Sequence, residues 1–201
     1  MAIYTTLFLC QPSELPGGFP GWRGPLAQPI RREVRNPFTG KVVVIETREP
    51  EWPADAGPEQ GKGPQVVAIK GSYKTYLERR LPPFVRQCPH WAGKGLTEEE
   101  LDPLVEAVGV TGAFECALYS PPSSGGVLQQ FPPGVLGRLS QLSPPQMEEV
   151  ATRWAAIMSD PDHIVPGEGW SPADAMGILK PLVELARKAT VDQQLYLLIE
   201  T

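Results

Sequence analysis

The sequence predicts an α+β fold: a mostly antiparallel sheet with helices packed on it and long Pro/Gly-rich loops, in a single domain spanning residues 1–201. Three observations carry that expectation. Segments rich in β-formers fall at 2–10, 31–48, 65–70 and 194–200, while the helical signals come in two clusters instead of alternating with strands, as βαβ winding would require. Proline and glycine, 24 and 20 residues, make up about 22% of the chain, just under the roughly 25–30% that marks disorder, so ordered loops on a conventional core are expected. No linker separates two self-sufficient apolar patterns, which favours one large domain.

Residues 2–10 are apolar and rich in β-formers, and read as the first strand. A secretion leader fits poorly, because no Lys or Arg precedes the run and it is short for an apolar leader core. Phe8 and Leu9 are also too large for an acylated Cys10. Residues 11–30 hold five prolines and cannot form a long regular element. Residues 31–48 read as a hairpin turning at 36–40. Its returning strand contains the unbroken run Val42 to Ile45, which predicts a strand buried on both faces. The polar stretch 49–64 is expected to be a mobile loop. A β segment at 65–70 then passes through Gly71-Ser72 into a helix from Tyr73 to Leu81.

Thr97-Glu98-Glu99-Glu100 has the form of a capping box opening a helix to about Val108, its acids suiting the positive end of the helix dipole. Residues 113–119 lean towards strand. Ser143-Pro144-Pro145-Gln146 supplies a cap, a first-turn proline and a box-closing Gln. Met147, Val150, Ala151, Trp154, Ala155 and Met158 then form one stripe of a helix over 143–159. Ser171 to Asp174 repeats the start signal, and Ala175, Leu179, Leu182, Val183 and Ala186 form a second stripe over 171–188, with a kink expected at Pro181. The two helices are expected to pack through Val150, Trp154, Leu179 and Leu182. Residues 194–200 read as a terminal strand. Trp22, Trp52, Trp91 and Trp170 fall in predicted loops, where pinning irregular chain to the core is their expected role.

Three scattered cysteines, Cys10, Cys88 and Cys116, cannot form a fully paired framework, and they suggest reduced thiols in a reducing compartment. No apolar run approaches the roughly 20 residues that cross a bilayer. The net charge of −5 is unevenly placed: residues 1–140 carry 14 acidic and 14 basic side chains, and residues 141–201 carry 9 and 4. That distribution argues against nucleic-acid binding, since the last third repels phosphate.

Chemical motifs are sparse. Neither a phosphate-cradling glycine loop nor a nucleophile elbow occurs. Cys88-Pro89-His90 sets a thiol and an imidazole two residues apart, which suits a Cys–His pair or two zinc ligands, but a buried thiol beside a Pro-rich turn is the expected reading. Asp160, Asp162, His163 and Glu168 form the densest set of hard ligands, between the two strongest helices. Their spacing matches no calcium loop, and helix-terminal acids are commonly solvated caps. Neither a cofactor nor a metal is expected.

A small, acidic α+β chain without catalytic motifs resembles, in outline, the immunity proteins of bacterial toxin systems. The resemblance implies a cytoplasmic, non-catalytic inhibitor that binds and neutralises another protein, such as a basic toxin domain. Glu148, Glu149, Asp160, Asp162 and Glu168 would then face the partner. The alternatives are a hydrolase-like or metal-dependent enzyme using Asp160, Asp162, His163 and Glu168, and a structural or regulatory subunit.

Overall fold

The two ends of the described chain make the centre of the sheet. In a computed structural model describing residues 4–35, 42–51, 81–121, 125–160 and 169–200, strand β1 (Tyr4–Cys10) pairs antiparallel with β7 (Gln194–Glu200) along its whole length, from Tyr4 opposite Glu200 to Cys10 opposite Gln194. Strand β4 (His90–Lys94) adds to the free side of β1; β6 (Gly126–Gln130) and then β5 (Glu115–Tyr119) add to β7. The five-stranded order is β4-β1-β7-β6-β5, all antiparallel. Strands β2 (Ile30–Arg35) and β3 (Val42–Thr47) form a separate two-stranded sheet. The class is mixed α+β in one domain, as the sequence predicts.

Continuous apolar runs in β1 and β7 follow from burial on both faces, because alternate side chains enter different layers. Leu7, Leu9, Leu195, Leu197 and Ile199 face the helices. Phe8, Cys10, Tyr196 and Leu198 face an aromatic layer built from Phe19, Trp22 and Phe84. That second layer is supplied by the proline-rich segment after β1, with a one-turn helix α1 (Leu15–Gly18), and by α2 (Pro83–Gln87).

The helical layer comprises α3 (Glu98–Ala107), α4 (Val135–Gln141), α5 (Pro144–Ile157) and α6 (Pro172–Ala186). Capping boxes start α3 at Thr97, α5 at Ser143 and α6 at Ser171, each satisfying first-turn amides that have no partner within the helix. Helix α6 continues through Pro181 and lies against β1 and β4, with α5 and α4 packed on it. Val150, Trp154, Leu179 and Leu182 are all buried in the shared cluster. Trp154 is wholly buried, donates its indole N–H to the Glu100 carbonyl at 2.9 Å, and packs on Trp170 with ring centroids 5.2 Å apart. One side chain thus ties α5 to α3 and to the chain entering α6.

Several expectations need correction. Val42, Val44 and Ile45 are 59%, 61% and 44% exposed, so the unbroken run in β3 does not mark burial on both faces. Among the described residues β3 has only β2 as a strand neighbour, and a run of apolar residues cannot report whether a layer covers it. Trp91 lies in β4 and not in a loop, because pairing with the edge of β1 makes His90–Lys94 a strand. Strands β4 and β6 and helices α2 and α4 lack a sequence signal strong enough to announce them. Trp22 and Trp170 do pin loops, onto Phe19 and Trp154. The hairpin turn at 36–40, most of the 49–64 loop, the 65–70 strand, the 73–81 helix apart from Leu81, and Trp52 lie outside the described residues.

Two stability predictions follow from the layers. Trp154→Ala should destabilise the protein by about 3–5 kcal/mol in chemical denaturation, and a loss under about 1 kcal/mol would contradict the role given to its ring. Tyr196 is fully buried in the aromatic layer, yet its hydroxyl has no hydrogen-bond partner among the described residues. An unmatched buried hydroxyl costs about 1–3 kcal/mol. Tyr196→Phe should therefore leave stability unchanged or raise it by about 1 kcal/mol, measured by urea unfolding.

Candidate functional site

Helix α5 presents two outer flanks, and its adjacent glutamates go to different ones. Successive residues on a helix are about 100° apart, whereas residues four apart share a face. Met147 and Ala151, with Glu148 and Thr152, therefore turn towards α6. Glu149 and Arg153 turn towards the C-terminus of α3 and towards α4.

On the first flank lies a groove of about 440 Å³ between α5 and α6. Pro144, Met147 and Ala151 wall it from α5; Pro172, Ala173 and Met176 wall it from α6, with Glu148, Thr152 and Lys180 also lining it. Met147 is buried at the base, Met176 is half-buried, and Ala173, Glu148 and Lys180 are exposed. Methionine thioethers are flexible and polarisable, which suits a surface that must adapt to what it contacts.

The second flank holds a more polar cleft of about 330 Å³. Arg153 crosses it, donating to the Ala107 carbonyl at 3.2 Å and to Glu149 Oε1 at 3.2 Å. Its charge suits the negative end of the α3 dipole and offsets that of Glu149. Helix α3 closes there in a Schellman motif: Gly109 N–H donates to the Glu106 carbonyl and Val110 N–H to the Val105 carbonyl. Gly109 has φ +75°, which glycine adopts without the cost of a Cβ. Arg138 and Gln141 are among the other residues that line it.

The acids read from the sequence do not share one setting. Glu148 lines the groove, Glu149 is paired in the cleft, and Asp160 is exposed just beyond α5 with its amide bonded to the Ile157 carbonyl. Asp162, His163 and Glu168 lie outside the described residues. Asp174, at the start of α6, accepts from the Ser171 hydroxyl and amide, and these bonds hold its carboxyl below the usual range. Among the described residues, no group of three or more His, Cys, Asp or Glu is placed to hold a metal ion, and no helix is long and apolar enough to cross a membrane.

Cys88 and His90 occupy positions two apart where α2 leads into β4. The Cys88 thiol donates to the Phe84 carbonyl at 3.5 Å, and His90 Nδ1 lies 2.9 Å from the Cys88 carbonyl oxygen. Cys10, Cys88 and Cys116 are free thiols. Burial, with nearby Cys88 and Glu14, pushes the Cys10 thiol up to about 12; burial and Glu14 also raise Cys88.

No family model, curated protein or solved structure matches this chain. The geometry of its own surface carries the functional reading.

The sequence singles out Glu148 but not the groove beside it. Ala173, Met176 and Lys180 belong to the second helix, and nothing in the separate stripes says which flanks face one another. The Glu149–Arg153 pair had a legible signal, opposite charges at i and i+4. Arg138 had none.

Proposed function

We propose that this chain is a non-catalytic, cytoplasmic protein-binding inhibitor of the immunity type, which takes a segment of a basic partner into the groove between α5 and α6. The observation that carries the reading is the groove itself, with methionine and alanine at its centre and Glu148, Thr152 and Lys180 around them. An apolar centre within a polar rim is the anatomy of a protein-binding surface. All the residues lining the groove lie within residues 141–201, the part of the chain with 9 acidic and 4 basic side chains. The groove's own lining is balanced, with Glu148 and Lys180, so the basic partner rests on the excess of acid in the segment as a whole, which would favour encounter with it. Of the three sequence-selected acids among the described residues, Glu148 is the one that lines the groove. Glu149 contributes less, because Arg153 already neutralises it. Asp160, Asp162 and Glu168 extend the same reading along the connection between the helices.

The test uses the wild-type chain as bait in lysate of its native host, with Ala173→Arg as the matched control. Ala173 is exposed in the groove wall, so the arginine blocks the groove without entering the core. The partner recovered by wild type should bind Ala173→Arg at least ~100-fold more weakly, mainly through faster dissociation. Glu148→Gln should slow association at low salt and leave it unchanged at high salt. Equal binding by all three proteins, with circular dichroism showing the same fold, would remove the groove from the interface.

A further inference from the structure

Cys10 and Cys88 are far apart in sequence but meet across a strand pair. The β1–β4 register sets Phe8 opposite His90, and the next rung is closed by the Leu9 amide donating to the Pro89 carbonyl at 3.0 Å. Continued one rung past that bond, the same register would bring Cys10 opposite Cys88, which ends α2 with an extended φ of −82° and ψ of 152°. Leu9–Pro89 is a hydrogen-bonded rung, so Cys10–Cys88 falls on a non-hydrogen-bonded one. There, opposite Cα atoms stand about 4.5 Å apart and Cβ atoms about 4.5–5.5 Å apart. A disulfide requires roughly 4.4–6.8 Å between Cα atoms and 3.5–4.5 Å between Cβ atoms. The spacing of such a rung is therefore compatible with a disulfide.

The side chains agree with the backbone. Cys10 is buried in the aromatic layer, and Cys88 packs against that same layer. Each also lies within electrostatic reach of Glu14, and Cys10 within reach of Cys88. Cys88 is partly exposed while Cys10 is fully buried, so one sulfur is open to a reagent and the other stands behind it. Cys116 sits on β5, at the opposite edge of the sheet, and provides an internal control.

We propose that Cys10 and Cys88 are a reversible cross-strand disulfide site whose oxidant is a low-molecular-weight disulfide such as oxidised glutathione. The Cys88 thiolate attacks one sulfur of the oxidant, forming a mixed disulfide and releasing one glutathione thiolate. The Cys10 thiolate then attacks the Cys88 sulfur, forming the Cys10–Cys88 bond and releasing the second glutathione thiolate. Two protein thiols lose two electrons, the oxidant gains two, and the two thiol protons end on two glutathione molecules. Burial raises both thiols above their ordinary range, which keeps the thiolate fraction low and slows the exchange. Transient disulfides of this kind are the ones found in reducing compartments. The bond ties the junction between α2 and β4 covalently to the end of β1, a central strand of the sheet.

The experiment incubates the full-length reduced protein with oxidised glutathione, then counts thiols after denaturation and maps the peptides. The fully reduced chain has three thiols. The expected result is one remaining thiol, at Cys116, with a Cys10–Cys88 cross-linked peptide that dithiothreitol reverses. Cys116→Ser should form the same bridge within about twofold of the wild-type rate, and Cys88→Ala should not form it. The wild-type count and map do not depend on any variant folding. Three thiols remaining, a persistent glutathione adduct on Cys88 with Cys10 still reduced, or a bridge that includes Cys116 would each overturn the proposal.

Discussion

The pairing of β1 with β7 is the constraint on which the rest of the structure depends. Seven residue pairs join strands from opposite ends of the described chain, and nearly every side chain on them is buried. Bringing such distant segments together costs loop-closure entropy before any contact offsets it. The offset is burial on two faces at once, at roughly 1.5–3 kcal/mol for each large apolar side chain fully removed from water. Leucines on one side hold the helical layer, and Phe8 and Tyr196 on the other hold the aromatic layer. Thr5 extends the same control to the exit of β4, exchanging hydrogen bonds with the Leu96 backbone just before α3 begins. A break in this pair would strip both layers of their floor.

What the sequence made legible follows from whether the signal is local. Caps are local, and Thr97, Ser143 and Ser171 open helices as their spacing predicts. Helical stripes are local too, and every residue of the two long stripes is buried. Strand β4 is different: His-Trp-Ala-Gly-Lys contains a glycine and lacks clear alternation, and it is a strand because the edge of β1 is free to receive it. The runs in β1, β3 and β7 look alike on paper, yet among the described residues β1 and β7 have strands on both sides and layers above and below, whereas β3 has β2 alone as a strand neighbour. The candidate site was legible in its charges and illegible in its shape. Glu148 and Glu149 are neighbours in sequence, but a 100° step sends one to an apolar groove and the other to an arginine. The meeting of Cys10 with Cys88 is a matter of long-range register, which spacing cannot reveal.

The electrostatic and apolar readings of the last third fit together once the acids are placed. Asp174 caps α6 and Glu149 serves Arg153, so part of the negative charge is already engaged in holding helices. The groove lining itself carries one acid and one base, Glu148 and Lys180, and exposed charges of this kind are screened and mainly alter association rates. On the proposed reading, binding energy would come from the apolar walls of the groove, Met147, Ala151, Ala173 and Met176. The groove in turn depends on α6 holding its place against β1 and β4, which returns its shape to the central strand pair.

Native-state hydrogen exchange tests the primacy of that pair most directly. Amides in regions that open only with the whole molecule exchange with the free energy of global unfolding, and locally opening regions exchange with less. The account predicts that amides of Leu7 to Leu9 and Leu195 to Leu198 exchange at the global value obtained from denaturant unfolding, while those of β2 and β3 exchange through cheaper local openings. Exchange of the β1 or β7 amides at lower free energies than those of α5 and α6 would contradict it.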